Sequence, residues 1–447
     1  MAELRELYWE PTHGRGLVSR DRRGGPYAAY VPDRLCDRPV LIPAELAIFA
    51  ASVERKILRL AAGPNARSLE GISRFLLRSE AIASSMIEGI APSPQQVAIA
   101  ELAQDERIRG FSAQAGLVAN NITVLRQAAL GLVQAPAMTV EDIVALHARL
   151  LPDEKHRGLR EVQNWIGGSN WNPLESAFVP PPADRVSDLM DDLVTYLNGS
   201  AHGPLIQAGL VHAQFETIHP FVDGNGRVGR ALIHTVLARR GLSSRAILPV
   251  SLVLATLRDR YIDGLAAFRY IGDPLSDLAV TGVASWLGIF AEAAEVAVEQ
   301  AERLAGEIEV LRAEWGQRLA GWRTDHGKRP EPRADSATSR LLGMLSEAPM
   351  LTARTVQRLL DVSFPRARDA LDELAEAGVL SRKSVDRGTT GYLANEVLDL
   401  VGLAERRMAS TRFDTRMSKP NRPAPAPPER RVPALSDDAI NHEQEDQ

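Results

Sequence analysis

The sequence predicts a mainly α-helical protein with a short β-hairpin inserted in its core and a small helical module near its C-terminal end. Three observations carry this reading. Apolar residues recur at steps of three and four, as in Leu46, Phe49, Ala50, Val53, Ile57 and Leu60. Breaker clusters such as Gly63-Pro64-Asn65, Asn198-Gly199 and Ile271-Gly272-Asp273-Pro274 separate those runs. With 447 residues, 45% of them hydrophobic, the chain can build two or three domains around a sizeable core.

Residues 1–43 are rich in breakers (Pro11, Gly14, Gly16, Gly24, Gly25, Pro26, Pro32, Pro39, Pro43) and predict an irregular arm, with Tyr27 to Pro32 as an extended anchor. A helix begins near Ala44. The next is expected from about Ser68, as N-cap, to Ile87, with Leu69, Ile72, Leu76, Ala83 and Ile87 on its buried face. Gly89 suits the left-handed position after its last turn. Glu88 then lies at the negative end of a helix dipole and should seek a cation. Residues 93–131 hold two more helical patterns. Thr139 to Asp142 forms a capping-box pattern ahead of Ile143, Leu146 and Leu150, and His147 on that helix reads as a packed core residue.

Character changes between 157 and 183, where Val162 to Ile166 and Ala177 to Val179 read as two short strands around Gly167-Gly168-Ser169-Asn170. Helix returns from Val186 to Leu197. Leu205, Ile206, Gly209, Leu210, Ala213 and Ile218 predict an amphipathic helix that stops before Pro220, which biases His219 away from helical geometry. Val228, Ala231, Leu232, Thr235 and Val236 predict the helix that follows, up to Arg239-Arg240-Gly241. Pro249 opens a segment whose helices reach Tyr270. From Leu275 to about Leu319 the pattern is helical, and the stripe from Ala294 to Trp315 fits core packing and a dimer seam equally. A polar stretch over 321–336 reads as a linker. Beyond it, Thr338 to Leu345, Thr352 to Leu360 and Phe364 to Ala377 predict three short helices. Gly378-Val379-Leu380 and Gly391-Tyr392-Leu393 flank a polar turn. This looks like a winged helix, a module that often places a helix in the DNA major groove. Arg366, Arg368, Arg382, Lys383 and Arg387 offer phosphate contacts, but Asp361, Asp369, Asp372, Glu373 and Glu376 dilute them, so DNA binding through 336–400 and a protein-docking or structural role both stay open. From about Ser410 the composition predicts a disordered tail.

A net charge of −5 argues against a global nucleic-acid-binding field. The single cysteine, Cys36, excludes an internal disulfide and suits a reducing cytoplasm. The opening residues lack the apolar core of a signal peptide, and no run of about 18 apolar residues stands out as a membrane span.

The chemistry concentrates in Ile218-His219-Pro220-Phe221-Val222-Asp223-Gly224-Asn225-Gly226-Arg227-Val228-Gly229-Arg230. Backbone N–H groups of a Gly-rich turn can form an anion nest, and the following helix adds its N-terminal donors and positive dipole end. Arg227 and Arg230 fall one turn apart close to that end, where cations are disfavoured unless an anion is held there. Asp223 is a hard donor for Mg²⁺, and His219 titrates near neutrality, as a general base should. A polyphosphate substrate fits this set.

The stretch from His219 to Arg230 resembles the signature of the Fic (filamentation-induced) family, His-Pro-Phe-x-Asp/Glu-Gly-Asn-Gly-Arg-x-x-Arg, at every specified position. The resemblance implies a helical core whose histidine, His219, is the general base. It implies Mg²⁺ on Asp223, and phosphate binding by Gly224, Asn225, Gly226, Arg227 and Arg230. The reaction it implies is transfer of AMP from ATP to a Ser, Thr or Tyr hydroxyl of a target protein. Residues 157–183 would be the family's β-hairpin flap, which holds the target strand. Self-modification and a homodimer remain further expectations. Ser84, Glu88 and Gly89 resemble the family's inhibitory motif, Ser/Thr-x-x-x-Glu-Gly/Asn, which implies a Glu88–Arg230 pair that blocks the outermost phosphate. The same site run in reverse, as a de-AMPylase, and a DNA-binding regulator are the alternatives. The expected division is an N-terminal inhibitory segment over 1–110, a Fic core over 111–290, a long helix and linker over 291–335, a winged-helix-like domain over 336–400 and a disordered tail over 410–447.

Overall fold

The fifteen-residue helix Pro204–Ile218 is the one around which the others assemble, and every residue of it after Pro204 is buried, the polar Gln207, His212, Gln214, Glu216 and Thr217 included. The computed structural model describes residues 1–11, 18–37, 39–62, 72–132, 135–151, 157–199, 201–242, 247–400 and 402–403. The expected Ser68 cap and the 410–447 tail lie outside the described residues. The helix Pro204–Ile218 was expected to show one solvated face. Instead it is covered all round, as a central core helix must be. The helices Asn225–Arg239, Ala183–Asn198, Ala44–Ala62, Arg258–Phe268 and Asp277–Asp325 all pack on it. On the last of these, Trp286, Leu287 and Phe290 are buried, and the Trp286 indole donates to the Gly209 carbonyl at 2.8 Å. Each such side chain contributes roughly 1.5–3 kcal/mol through burial.

The long helix runs unbroken from Asp277 to Asp325, across the expected boundary at 290. Its stripe of Ala294, Val298, Ala301, Ala305, Ile308, Leu311 and Trp315 is buried within the chain, so intramolecular packing accounts for it. Its 18-residue window with mean hydropathy 1.2 is long and apolar enough to cross a membrane, which a search for uninterrupted apolar runs overlooks. That window is 56% buried inside the protein, as befits a core helix.

Two further elements differ from expectation. The N-terminal arm is a regular antiparallel hairpin, β1 (Glu3–Trp9) on β2 (Gly25–Val31), in register from Glu3 opposite Val31 to Trp9 opposite Gly25. Residues 3–9 contain no breaker, and in β2 the only breakers, Gly25 and Pro26, open the strand, so that Tyr27 to Val31 is extended as expected. In 157–183, neither Val162 to Ile166 nor Ala177 to Val179 forms a strand. A single bridge pairs Ile166 with Phe178. Side chains take the carbonyls that a ladder would use: Arg160 donates to Val162 and Pro181, and Gln163 to Pro180. Pro180, Pro181 and Pro182 have no N–H to give. The segment is braced by the N-terminal hairpin instead. Tyr30 N–H donates to the Val179 carbonyl at 2.9 Å, Ser169 to Asp21 at 2.6 Å, and Trp9 packs edge-on to Trp165.

The C-terminal unit contains the helices Ala337–Met344, Ala353–Leu360 and Phe364–Glu376. A three-stranded antiparallel sheet completes it, ordered β3 (Met350–Leu351), β5 (Thr389–Leu393), β4 (Ser381–Asp386). The two-residue β3 was too short to be seen in sequence. The unit seats on the segment ahead of the core: Glu106 accepts from Thr352 at 2.7 Å and from Thr355, and Arg78 reaches the Glu347 carbonyl at 3.3 Å.

Candidate active site

The loop between Pro204–Ile218 and Asn225–Arg239 brings together every residue expected in it. The first helix ends at Ile218, and His219 takes up the left-handed conformation at φ 50° and ψ 58°. Such a conformation is costly for a non-glycine residue and needs surrounding support. Arg160 and Asn164 supply it by donating to the His219 carbonyl at 2.9 and 3.3 Å, and Asn164 also donates to the Phe221 carbonyl at 2.9 Å. The His219 side chain is largely buried. Burial first, then the cations Arg269 and Arg160, push its pKa down to about 4. The imidazole is therefore neutral at pH 7, with a lone pair available to accept a proton.

Asn225 clamps the loop. Its Oδ1 accepts from Phe221 N–H and its Nδ2 donates to the Phe221 carbonyl, both at 2.8 Å. Its side chain is thus occupied in bracing, and only its backbone N–H is left to face an anion. Two buried hydrogen bonds of this kind are worth about 1 kcal/mol each, with a further penalty for the groups left unpaired. Asn225→Ala should destabilise the chain by about 2–3 kcal/mol, read as a shift in the urea midpoint with an unchanged m-value. His147, as expected, is a core residue. It stacks on Phe221 at 3.9 Å and its Nε2 lies 2.9 Å from the Asp223 carbonyl oxygen.

Gly224 caps the next helix at φ 81°, where other residues are strained. No protein acceptor meets the N–H groups of Asn225, Gly226 and Arg227 among the described residues. These are the first-turn donors of a 15-residue helix. Arg227 is buried, yet its Nε and Nη1 also lack an acceptor. A buried guanidinium beside open helix N–H groups is a seat for an anion.

Glu88 currently leans on that seat. Its carboxylate lies against Gly226, so close that a methyl group there would overlap it. Arg230 donates to Glu88 at 2.7 Å, to the Ser84 hydroxyl at 2.8 Å and to the Ser84 carbonyl at 2.7 Å. Ser84 and Glu88 thus share one arginine, and Gly89 closes the turn at φ 77°. Burial opposes ionisation of Glu88, but Arg230, then Arg227 and His219, hold its pKa below the ordinary carboxylate range. The same contact raises the pKa of Arg230 despite its burial. A second buried link fixes the helix Ser73–Ile87 to the site. Glu80 meets His234 at 2.7 Å and accepts from Ser251 N–H at 2.8 Å.

Asp223 is exposed on the loop. One of its carboxylate oxygens accepts from Gly224 N–H at 2.6 Å, and the other has no donor among the described residues. Among the described residues, no cluster of three or more His, Cys, Asp or Glu side chains is placed to hold a metal. A single open carboxylate beside a phosphate seat still suits Mg²⁺, which takes one or two carboxylates and fills its sphere with phosphate oxygens and water.

Sequence reasoning missed Arg160, Asn164, Glu216 and Arg269. Arg269 is half-buried against the Phe178 ring, 3.6 Å from its centroid, with its pKa lowered to about 10 by desolvation. None of the four stands in a local pattern that marks it. Their partners lie far off in sequence, or, for Glu216, one helical turn away.

Residues 137–237 match the model of the Fic/DOC family. Over 116 residues the chain is 37% identical to the Protein adenylyltransferase Fic of Drosophila ananassae, covering 25% of this chain and 22% of that one. The match to the protein of the same name from Drosophila melanogaster has the same extent and identity. The matched stretch thus spans 22% of the length of these curated relatives. Among solved structures, a Fic family protein from Desulfovibrio desulfuricans G20 aligns at 22% identity and a TM-score of 0.48, over 80% of this chain and 98% of that one. A fragment of Fic-1 from C. elegans aligns at 20% identity and a TM-score of 0.45, over 60% of this chain and 74% of that one. Through residues 137–237, which hold the whole His219–Arg230 motif, the chain carries a domain of the Fic/DOC family.

Proposed function

We propose that the protein is an adenylyltransferase that moves AMP from ATP to a Ser, Thr or Tyr hydroxyl of a target protein, and that Glu88 holds it in a low-activity state. The observation that carries this reading is the composite anion seat: open first-turn N–H groups, the unpartnered guanidinium nitrogens of buried Arg227, and Arg230 occupied by Glu88. The curated relatives are named for protein adenylyl transfer, which supports ATP as donor. In this reading the seat binds the phosphates and Arg230 takes the outermost one once Glu88 leaves. Neutral His219 accepts the hydroxyl proton as the oxygen bonds to the α-phosphorus and pyrophosphate departs. Asp223 would hold Mg²⁺, which would neutralise phosphate charge.

The segment 157–183 serves as the flap. Val162, Ile166 and Trp171 are exposed along it, a surface on which an extended target segment can lie. We read the C-terminal unit as winged-helix-like from its three helices and three-stranded sheet. Arg382 and Arg368 are tied to Asp372 there, at 2.7 and 3.5 Å, which favours docking or structural work over DNA binding.

The test is incubation of the full Glu88→Gly chain with ATP labelled on either the α- or the γ-phosphate. The α-label is expected to become covalently bound to protein and the γ-label is not. Retention of γ-label would mean phosphoryl transfer, and retention of neither would remove the transferase reading.

A further inference from the structure

Beside His219 stands a carboxylate that the signature does not include. Glu216 sits one turn earlier on the helix Pro204–Ile218, with Oε2 4.0 Å from His219 Nδ1. Both side chains are mostly buried. Glu216 Oε1 and His219 Nδ1 each lack a hydrogen-bond partner among the described residues. The Glu216 backbone also favours a proton on the ring, without a hydrogen bond of full geometry to Nδ1. Room for the carboxylate comes from Gly229, at an unspecified position of the signature. A Cβ there would lie 2.6 Å from Glu216 Oε1 and 3.0 Å from the Phe215 ring. A buried acid with an open oxygen, beside a buried base with an open nitrogen, needs an explanation.

We propose that Glu216 is the positioning residue of His219: its carboxylate, set behind Nδ1, keeps Nε2 turned to the site and balances the charge that appears on the ring when it takes a proton. The inference rests on the reading of His219 as base. The 4.0 Å separation is about 1 Å beyond a hydrogen bond, and in a buried site one negative charge opposite a forming imidazolium has a large effect on proton acceptance.

The surroundings set when that charge exists. Burial raises the Glu216 pKa to about 7. Arg230 on the signature helix and Arg269 after Arg258–Phe268 oppose the rise, and Glu88 on the inhibitory segment adds to it. Tyr261 also faces Glu216, and its phenol is pushed upward by burial and by that neighbour. His212, one turn back on the same helix, is held neutral, its pKa lowered to about 3 by burial. Arg160 acts on His219 from the flap side. Since His219 is neutral on both sides of pH 7, Glu216 is the member of the pair that changes charge there. Below the midpoint it is a neutral acid and gives the imidazole no support, and above the midpoint the support is present.

The test uses the full chain and two readouts. In the ¹⁵N-histidine-labelled wild type, the His219 ring resonances, assigned by their loss in His219→Ala, should show an inflection near pH 7 that reports Glu216. Glu216→Gln should abolish it. In the Glu88→Gly chain, incorporation of α-labelled AMP should rise with pH through the same ionisation, at a lower midpoint because the Glu88 charge is gone. Adding Glu216→Gln there should flatten that rise and lower kcat about tenfold, a part of the 10²–10⁴ that a general base supplies. The KM for ATP should stay within about threefold, since no ground-state contact to nucleotide is removed. Glu216→Asp should restore the pH dependence in part. A His219 resonance with no inflection, or an identical one in Glu216→Gln, overturns the proposal. So does an unchanged pH profile of transfer in an active chain. If the inflection is present and sensitive to Gln while the Glu88→Gly chain transfers nothing, the pairing stands and the transferase reading is what fails.

Discussion

Replacement of Glu88 by glycine should raise AMP transfer by about 10- to 100-fold, measured as α-labelled AMP incorporated per minute at saturating ATP. The magnitude follows from what the carboxylate now does. A hydrogen bond between charged groups contributes about 1.5–3 kcal/mol, and each 1.4 kcal/mol is a factor of ten. Glu88 is about one-third exposed, at 37%, so solvent screening keeps the gain within that modest range. The glycine itself is well placed. Position 88 is the C-cap of Ser73–Ile87, at φ −84° and ψ 8°, and needs no side chain to end the helix. The thermal signature should be opposite in sign to the activity. Without nucleotide, the buried Arg230 loses the carboxylate that pairs with it and keeps its bonds to Ser84, so the melting temperature should fall. Added ATP should recover it by more than in the wild type, because only the variant presents an open seat. A variant that melts like the wild type and gains no ATP-induced shift would show that Glu88 does not guard a nucleotide site. Mild acid is no substitute for the substitution. The pKa of Glu88 is depressed in the folded state, so the pair persists at neutral pH and opens only as pH drops through that lowered value.

What could be read from the sequence, and what could not, divides by the range of the interactions involved. The His219–Arg230 loop was legible because its chemistry is local. A proline ends one helix, a glycine caps the next, and the arginines follow one turn apart. The Glu88–Arg230 pair spans 142 residues, but an electrostatic anomaly was visible at each end: a carboxylate at a helix C-terminus and an arginine near a helix N-terminus. The extended piece from Tyr27 was expected and forms most of β2, but its partner β1 was missed because counting breakers over the whole arm hid the breaker-free run from Glu3 to Trp9. The flap was expected as a regular hairpin and has a single bridge, since Arg160 and Gln163 compete for its carbonyls. Arg269 and Arg160 act electrostatically on His219, and Glu216 lies 4.0 Å from its Nδ1, without any periodic or motif signal. Only the three-dimensional packing of Pro204–Ile218 reveals what they face.

Removal of the imidazole should have the larger effect, a loss of about 10²- to 10⁴-fold in transfer, the range that a positioned general base supplies. His219→Ala also places alanine at φ 50°, where a non-glycine residue costs roughly 1–2 kcal/mol. An inactive alanine variant could therefore report a displaced loop. His219→Asn separates the two causes, because asparagine tolerates the left-handed region and cannot act as a base. Both variants, built on Glu88→Gly, should bind ATP with near-parental affinity by calorimetry, since the helix N–H groups, Arg227 and Arg230 are untouched. Transfer should be lost in both. Equal labelling in the asparagine variant would remove His219 from the base role whatever its position. The pH dependence sharpens the assignment. With its pKa lowered to about 4, His219 is already neutral well below pH 6, so its own protonation cannot cause a rise in rate near neutrality. A rise in that range must come from another group that the base depends on. Glu216, 4.0 Å behind the ring with its pKa raised to about 7, is placed and poised to be that group.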